Sequence, residues 1–231
     1  MVIVAAHNEA DRIAATLAAL ARAFPGAPLW VADDGSTDAT ARIARDAGAR
    51  VVGSAGVIGK GAAVTGAARE AWHDAQATTA GSEIESIFVL CDGDLGDSAI
   101  ELSPLADLVA REQADLAVAA FATRVGGGFG VALAFARWAI RRRCGLETLV
   151  PISGQRALRA RVLADVLPLA SGFGMEIGMT IDAVRGGWRV AELELQLTHR
   201  ASRRTPAGFL HRGRQLLDFV RVYRSRRPSR A

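Results

Sequence analysis

Several residue types are scarce in this chain of 231 residues, and each scarcity excludes a class of protein. Cysteine occurs only at Cys91 and Cys144, too few for a disulfide framework or a zinc site made of thiols alone. No apolar run reaches the roughly 20 residues that a membrane-spanning helix needs. The first residues do not form a charged segment followed by an apolar one, so a cytoplasmic protein is expected. Half of the residues are hydrophobic and 23% are charged, which excludes a disordered chain.

Basic residues are uneven in both type and position. Of the 28 lysine and arginine residues only Lys60 is a lysine, and it stands between two glycines. From Arg200 to Ala231 there are ten arginines and a single acid, Asp218, so the formal net charge of +4 comes from this segment and the remainder of the sequence is net negative. We therefore predict one domain over residues 1–200 and an arginine-rich extension over residues 201–231 that packs on it or trails from it.

Short apolar runs alternate with helical patterns through the first two-thirds of the chain. Five of these runs predict buried strands, at residues 2–6, 29–32, 50–52, 87–91 and 116–121. Uninterrupted apolar strands separated by helices are typical of an α/β fold, in which a mostly parallel central sheet has helices on both faces. The later part predicts a short strand at 152–154, helices at 175–184 and 209–224, and a strand at 189–197.

Acidic and polar side chains stand directly after three of the predicted strands. They are His7, Asn8 and Glu9 after the first, Asp33, Asp34 and Ser36 after the second, and Asp92 and Asp94 after the fourth. Ligands of open α/β sheets bind beyond the carboxyl ends of the strands, so these loops are expected to converge on one crevice. Asp92 and Asp94 would repel each other unless a cation lay between them, and oxygen ligands favour Mg²⁺ or Mn²⁺.

A metal ion held by few carboxylates completes its shell with phosphate oxygens and water, which indicates a nucleoside diphosphate ligand. Lys60 is expected to reach a phosphate or a base edge, while its two glycine neighbours let the backbone approach closely. An ordinary turn before a helix explains the same segment equally well. A P-loop is excluded because Ser54 and Gly61 stand where that motif has glycine and a hydroxyl residue. The dinucleotide fingerprint is also missing after the first strand, which disfavours hydride transfer.

Six segments occur in a fixed order along the chain: AAHNEADRIAATL, VADDGSTDAT, GKGAA, CDGD, SGQRALR and GFGMEIGMTIDA. Together they resemble family 2-type glycosyltransferases with the GT-A fold, over roughly residues 2–200. The resemblance implies a Rossmann-like, nucleotide-sugar-binding sandwich over residues 1–200. It also implies a hexosyltransferase that takes its sugar from a UDP- or GDP-linked donor with the help of Mg²⁺ or Mn²⁺.

The resemblance further implies roles for individual residues. The donor nucleotide would be bound by residues that follow the first strands: Ala6, Asn8, Glu9, Asp33, Asp34, Lys60, Asp92 and Gly93. Asp92 and Asp94 would form the DxD motif that holds the metal ion on the diphosphate. Asp94 is therefore predicted to be a catalytic residue. Asp97 is one candidate for a third protein ligand, because Gly96 stands where the lipid-phosphate relatives often carry glutamine.

Two groups within the family resemble the later part of the chain. FATRVGGG and SGQRALR are similar to polyprenyl-phosphate sugar synthases of the dolichol-phosphate mannosyltransferase type. That similarity implies contacts with acceptor or donor phosphate by five residues: Arg124, Arg137, Ser153, Gly154 and Arg156. GFGMEIGMTIDAVRGGWRV and LTHR resemble glucosyl-3-phosphoglycerate synthases, which implies a catalytic Glu176 at the acceptor site and His199 as the other candidate metal ligand. The two groups differ in stereochemical outcome, so that point stays open.

The partners of the chain are only partly constrained by these patterns. The acceptor is either a phosphorylated small molecule or a polyprenyl phosphate, and the arginine-rich tail suits an anionic membrane surface, a phosphorylated soluble acceptor or solvent alone. Nucleic acid is not expected, because the tail offers few aromatic side chains for stacking. A homodimer is left open. Two alternatives to sugar transfer also remain: a nucleotide-sugar-binding module without turnover and a sugar nucleotidyltransferase.

Overall fold

The computed structural model describes residues 1–78, 85–121, 130–197 and 206–226, with only the backbone for residues 206–215. Seven strands are present within these ranges: β1 Val2–Ala6, β2 Leu29–Asp33, β3 Arg50–Gly53, β4 Ile87–Asp92, β5 Leu116–Phe121, β6 Arg156–Arg159 and β7 Val190–Leu195. They form one sheet in the order β3-β2-β1-β4-β6-β5-β7. Strand β6 is antiparallel to β4 and β5, and the other pairings are parallel.

Helices pack on both faces of this sheet. Their bounds are α1 Ile13–Ala23, α2 Thr40–Asp46, α3 Lys60–Thr78, α4 Ser103–Ala110, α5 Gly130–Cys144, α6 Ala160–Val166, α7 Met175–Arg185 and α8 Pro206–Ser225. Helices α1, α2 and α4 share a core with Val2 and Val4 of β1, while α3, α6 and α7 share a core with Ile3. Both faces of β1 are therefore buried, which is why its sequence is apolar without interruption.

A third cluster of buried side chains joins the last helix to the domain. It contains Ala136 and Ile140 of α5, Ile177 and Ile181 of α7, and Phe219 and Val222 of α8. Arg226 adds an ion pair with Asp182 of α7, at 2.7 Å between Nη2 and Oδ2. The described part of α8 thus packs on residues 1–200, while the division of the chain at residue 200 stays a prediction. No helix in the described ranges is long and apolar enough to cross a membrane.

The predicted α/β fold is confirmed, and the first five predicted strands occur within one residue of their expected bounds. The strand predicted at residues 152–154 is wrong, because that segment is irregular and the strand begins only at Arg156. The reason is that Ser153, Gly154 and Gln155 are held by the side chains of the crevice described below, and the chain joins the sheet only after them. The predicted helices and the last strand occur with slightly shifted bounds.

Candidate active site

The loops after β1, β2 and β4 meet at the carboxyl edge of the sheet, as the sequence predicted. These three strands are neighbours and parallel. Asp34 N donates to Ala6 O at 2.9 Å, and Gly93 N donates to Ala5 O at 2.8 Å. Asn8 N donates to Ser36 Oγ at 2.9 Å. The backbone itself therefore forms the floor of one crevice.

Asp33 and Asp34 are both buried, and both carboxylates bind neighbouring loop residues. Asp33 Oδ1 accepts hydrogen bonds from the backbone N and the hydroxyl of Ser36. Asp34 Oδ1 accepts from Ile58 N at 2.7 Å and from Gly59 N at 3.0 Å. Because Gly59 immediately precedes Lys60, Asp34 fixes the point at which α3 begins and at which the lysine enters the crevice.

Asn8 and Glu9 are likewise held by the loop after β2. Asn8 has a φ of 56°, a left-handed conformation that asparagine adopts more readily than most residues. Its Oδ1 accepts from Thr37 N at 2.9 Å, and Glu9 N donates to Thr40 Oγ1 at 2.8 Å. The predicted nucleotide residues of the first two loops are therefore brought together and fixed by one network of hydrogen bonds.

Lys60 lies between two carboxylates that come from distant parts of the chain. Its Nζ is 2.6 Å from Asp92 Oδ1 at the end of β4 and 2.8 Å from Glu176 Oε1 in the first turn of α7. Burial alone lowers the pKa of the Lys60 ammonium, but the attraction of Asp92 and Glu176 outweighs it and raises the pKa above its usual value. The lysine is therefore a permanent cation, and it holds the two predicted catalytic regions together. We call these three side chains the lysine cluster.

Gly154 and Gln155 form the wall behind the lysine cluster. A Cβ atom at Gly154 would lie 2.6 Å from Lys60 Nζ and 2.9 Å from Asp92 Oδ2, so only glycine leaves room for this ion pair. Gln155 Nε2 donates to Asp92 Oδ2 at 2.8 Å, and its Oε1 accepts from Ser153 Oγ at 3.1 Å. Sequence reasoning missed Gln155, although it lies inside the recognised SGQRALR segment. The available signal was a side-chain amide next to a glycine and a serine, which suits an orienting role.

Arg156 is fully buried beside the lysine cluster. Its Nε donates to Ser153 O at 2.9 Å and its Nη1 to Thr180 Oγ1 at 3.0 Å. Burial lowers the pKa of the guanidinium to about 10, although Glu176 and Glu192 act in the opposite direction. Arg156 therefore remains charged at neutral pH. No part of the side chain reaches the surface in this arrangement, so the structure does not place Arg156 where a bound phosphate group could contact it. The phosphate contact of Arg156 stays a prediction.

The predicted ligands of a metal ion are the two carboxylates of the DxD sequence. Asp92 ends β4, and Asp94 follows in the turn, where its backbone O accepts from Arg12 Nη1 at 3.4 Å. The Asp97 side chain is 90% exposed and lies 3.7 Å from Arg22. The described residues contain no group of three or more His, Cys, Asp or Glu side chains that could hold a metal ion, and His199 lies outside them. Two hard oxygen ligands fit Mg²⁺ or Mn²⁺ that takes its remaining ligands from phosphate and water.

The arginines predicted at the acceptor are not all placed at the lysine cluster. Arg137 lies on α5, where its Nη2 donates to Leu149 O at 2.6 Å. With Trp138, Arg141 and Arg142 it lines a surface groove of about 740 Å³, and none of the groove's lining residues belongs to the lysine cluster. Arg124 lies outside the described residues. The structure thus brings Ser153 and Gly154 to the crevice and leaves Arg137 on a separate surface.

A crevice at the carboxyl edge of a mostly parallel sheet, lined by aspartates and one lysine, fits the nucleotide-sugar-dependent glycosyltransferases of the GT-A fold that the sequence motifs resemble. The sequence model of the family described as glycosyl transferase family 2 matches residues 1–167, and the chain belongs to this family. No curated protein sequence is significantly similar to the chain.

Solved structures of glucosyl-3-phosphoglycerate synthase from Mycobacterium tuberculosis are similar to the chain in both sequence and fold. The complex with phosphoglyceric acid has 28% sequence identity and a TM-score of 0.73, and the match covers 97% of this chain and 78% of that one. The complex with Mn²⁺, UDP and phosphoglyceric acid has 27% identity and a TM-score of 0.72, with 97% and 77% covered. The complex with Mn²⁺, UDP-glucose and glycerol 3-phosphate has 26% identity and a TM-score of 0.71, with 97% and 78% covered. These similarities confirm the predicted fold and enzyme class.

Proposed function

We propose that this glycosyltransferase transfers a sugar from a UDP-linked donor to a phosphate-bearing small molecule, with Mg²⁺ or Mn²⁺ as its metal ion. The observation that carries the proposal is the lysine cluster, in which one ammonium lies within 2.8 Å of carboxylates from β4 and α7. Among the similar synthase structures, one contains Mn²⁺, UDP and phosphoglyceric acid, another Mn²⁺, UDP-glucose and glycerol 3-phosphate, and a third Mg²⁺ and UDP. A GDP-linked donor is the alternative for the nucleotide.

The donor nucleotide would be bound by the loops after β1 and β2. Ala6, Asn8 and Glu9 would line its base and ribose, and Asp33 or Asp34 would contact the base. The network of hydrogen bonds that joins these loops supports this assignment, because it fixes their backbone before a ligand arrives. Lys60 would bring its charge to the diphosphate, since its ammonium is the cation closest to the DxD turn among the contacts described.

Asp92 and Asp94 would hold the metal ion, with His199 or Asp97 as a third protein ligand. A bound Mg²⁺ or Mn²⁺ neutralises the charge that develops on a nucleoside diphosphate leaving group. The protein prepares this site through the turn that carries both carboxylates: Gly93 N donates to Ala5 O, and Gly93 O accepts from Thr16 Oγ1 at 2.8 Å. A Cβ atom at Gly93 would lie 3.2 Å from Ala5 O, so the turn lies tightly against β1.

Glu176 would orient and activate the acceptor hydroxyl from the opposite side of the lysine cluster. Only 7% of its side chain is exposed, and its Oε1 accepts from Lys60 at 2.8 Å. A carboxylate held next to the donor site by a lysine is well placed to accept a proton from an attacking hydroxyl. Ser153, Gly154 and Arg124 would contact the phosphate of the acceptor or donor, whereas the other two predicted residues lie elsewhere: Arg137 lines the separate groove on α5, and Arg156 is fully buried.

The arginine-rich extension favours a second form of the same proposal, in which the acceptor is a polyprenyl phosphate at a membrane surface. Ten arginines follow residue 199 with one acid among them, and α8 carries part of this charge along one continuous helix. Flotation with vesicles of anionic lipid, compared with vesicles of neutral lipid, separates the two forms. Flotation with anionic vesicles alone would support the lipid acceptor, and no flotation would support the soluble one.

Release of UDP is the test of the proposed reaction. Purified protein is incubated with a panel of UDP- and GDP-sugars, with 3-phosphoglyceric acid or glycerol 3-phosphate, and with Mn²⁺ or EDTA. We expect UDP release that depends on metal and acceptor, and a loss of at least about 100-fold in Asp94→Ala with an unchanged Tm. Asp46→Ala, which alters an exposed aspartate on α2, is the matched control and should keep full activity. Full activity in Asp94→Ala would remove the metal assignment, and release of pyrophosphate would identify a nucleotidyltransferase instead.

A further inference from the structure

Arg156 carries a buried positive charge that takes part in none of the steps of the proposed reaction. Arg156 is fully buried on β6, yet within the described part of the chain no carboxylate lies within 4.0 Å of its guanidinium. Its Nη2 is also buried without a hydrogen-bond partner. A buried cation without a directly paired anion is costly, so its surroundings must compensate in another way.

Arg159, three residues further along β6, also has one buried guanidinium nitrogen, Nε, that makes no hydrogen bond, but carboxylates surround its charge. Its guanidinium lies 3.2 Å from Asp115 Oδ1 and 3.3 Å from Glu85 Oε2, and a third acid, Glu112, is 3.4 Å away. Arg159 thus has three carboxylate partners, whereas Arg156 has none at such a distance. The difference between the two arginines indicates that Arg156 does more than stabilise β6.

The contacts of Arg156 connect the two sides of the lysine cluster. Its Nε holds Ser153 O, in the same three-residue segment as Gln155, which donates to Asp92. Its Nη1 donates to Thr180 Oγ1, which itself donates to Glu176 O at 3.0 Å. One guanidinium therefore joins the segment that orients Asp92 to the helical turn that presents Glu176.

The region around the lysine cluster contains charges of both signs. Lys60 and Arg156 are positive, and Asp92 and Glu176 are negative. Lys60 contacts both carboxylates, at 2.6 and 2.8 Å, and its ammonium has a third N–H for the diphosphate of a donor, whose charge would then compete with the carboxylates for the single positive charge. Arg156 is fully buried, and its charge attracts Glu176 and Glu192 without a direct ion pair.

We infer that Arg156 is a positioning residue for sugar transfer: it fixes Asp92 and Glu176 relative to each other through Ser153 and Thr180, and it supplies a second positive charge to the region when Lys60 engages the donor. This role rests on the proposed function. It does not require Arg156 to touch either substrate. Arg156 acts through Ser153 and Thr180, and its removal should therefore slow the chemical step more than it weakens donor binding.

Two substitutions at Arg156 separate positioning from simple packing. Arg156→Met removes the charge and keeps most of the volume, and Arg156→Lys keeps the charge. We expect Arg156→Met to lower kcat by about 10- to 100-fold, with the KM for the donor unchanged, and Arg156→Lys to recover a large part of that loss. Arg159→Met is the matched control on the same strand, and it should lower Tm while kcat stays at the wild-type value. Wild-type kcat in a folded Arg156→Met variant, or no recovery in Arg156→Lys, would overturn the inference.

A second pair of variants decides the matter if Arg156→Met does not fold. Thr180→Val removes the hydroxyl that links Arg156 to the backbone of Glu176, and Thr180→Ser keeps it. The inference requires a several-fold lower kcat in Thr180→Val than in Thr180→Ser, and equal values would overturn it. Activity of the wild-type chain is measured first. Failure of the proposed function then shows as an inactive wild type, and failure of this inference shows as variants that are as active as the wild type.

Discussion

Replacing Lys60 by methionine removes the one ammonium that Asp92 and Glu176 share. At the 2.8 Å that separates Lys60 Nζ from Glu176 Oε1, two unit charges attract by about 6 kcal/mol at an effective dielectric constant of 20. Burial of the three side chains offsets much of that attraction. Breaking a buried ion pair usually costs about 3–5 kcal/mol. Because the side chains of Lys60 and Asp92 remain 24% and 34% exposed, we expect Lys60→Met to lower the free energy of unfolding by about 2–3 kcal/mol.

A double-mutant cycle isolates the ion pair from the other effects of the substitution. Glu176→Gln removes the partner charge, and the double variant Lys60→Met/Glu176→Gln removes both. The double variant should lose less stability than the sum of the single losses, with a coupling of about 1–3 kcal/mol. The measurement is urea unfolding at neutral pH without metal or nucleotide, followed by circular dichroism. For a chain of this size the Lys60→Met loss corresponds to a Tm lowered by about 4–12 °C.

The surface pair of Arg42 and Asp46 provides the matched control. Both side chains are exposed, and their closest approach is 3.0 Å within α2. The same cycle with Arg42→Met and Asp46→Asn should give a coupling below about 0.5 kcal/mol. If the Lys60 and Glu176 substitutions are additive to within about 0.5 kcal/mol, the lysine cluster does not hold α7 to β4 and the reasoning is wrong.

Two further predictions concern packing and pH. A Cβ atom at Gly61 would lie 1.8 Å from the backbone O of Ala170, so Gly61→Ala should lower the free energy of unfolding by about 1–3 kcal/mol. On the same helix, a Cβ atom at Gly66 would meet only Val52 Cγ1, at 3.7 Å, so Gly66→Ala should raise the free energy of unfolding by about 0.5–1 kcal/mol. If urea unfolding shows that the two variants are equally stable, α3 does not pack against residue 170 as described. The hydrogen bond from the Arg189 side chain, with its charge and that of Arg159, lowers the pKa of Asp115 to about 2. Because this folded-state pKa lies below the unfolded value, the contribution of Asp115, about 2 kcal/mol, is complete above pH 4 and is lost as the pH falls towards 2. Asp115→Asn should flatten the decline of stability between pH 4 and pH 2, and an unchanged decline would show that Asp115 is not responsible.

Local patterns were sufficient to predict the elements that form the donor side of the crevice. Val2 to Ala6 and Ile87 to Asp92 are apolar because both of their faces are covered, and the polar residues after them mark the edge of the sheet. The position of Lys60 at the start of a helix also follows from its flanking glycines. These features depend on a few neighbouring residues, so a single sequence contains them.

The side of the crevice that carries Glu176 depends on contacts between distant residues and was predicted less well. Strand β6 inserts antiparallel between β4 and β5, and no local periodicity reveals such an insertion. Lys60 and Glu176 are 116 residues apart, so their ion pair exists only once α3 and α7 have packed. Gln155 was missed for the same reason, because its partner Asp92 is 63 residues away. The burial of Arg156 behind these groups follows from the same tertiary packing.

The single lysine gives this enzyme a built-in spectroscopic reporter. Protein produced with isotope-enriched lysine would give one side-chain resonance in a magnetic resonance spectrum, and that resonance would come from the ammonium between Asp92 and Glu176. Donor, metal and acceptor can then be added in turn and their arrival followed at one atom without assignment of the remaining spectrum.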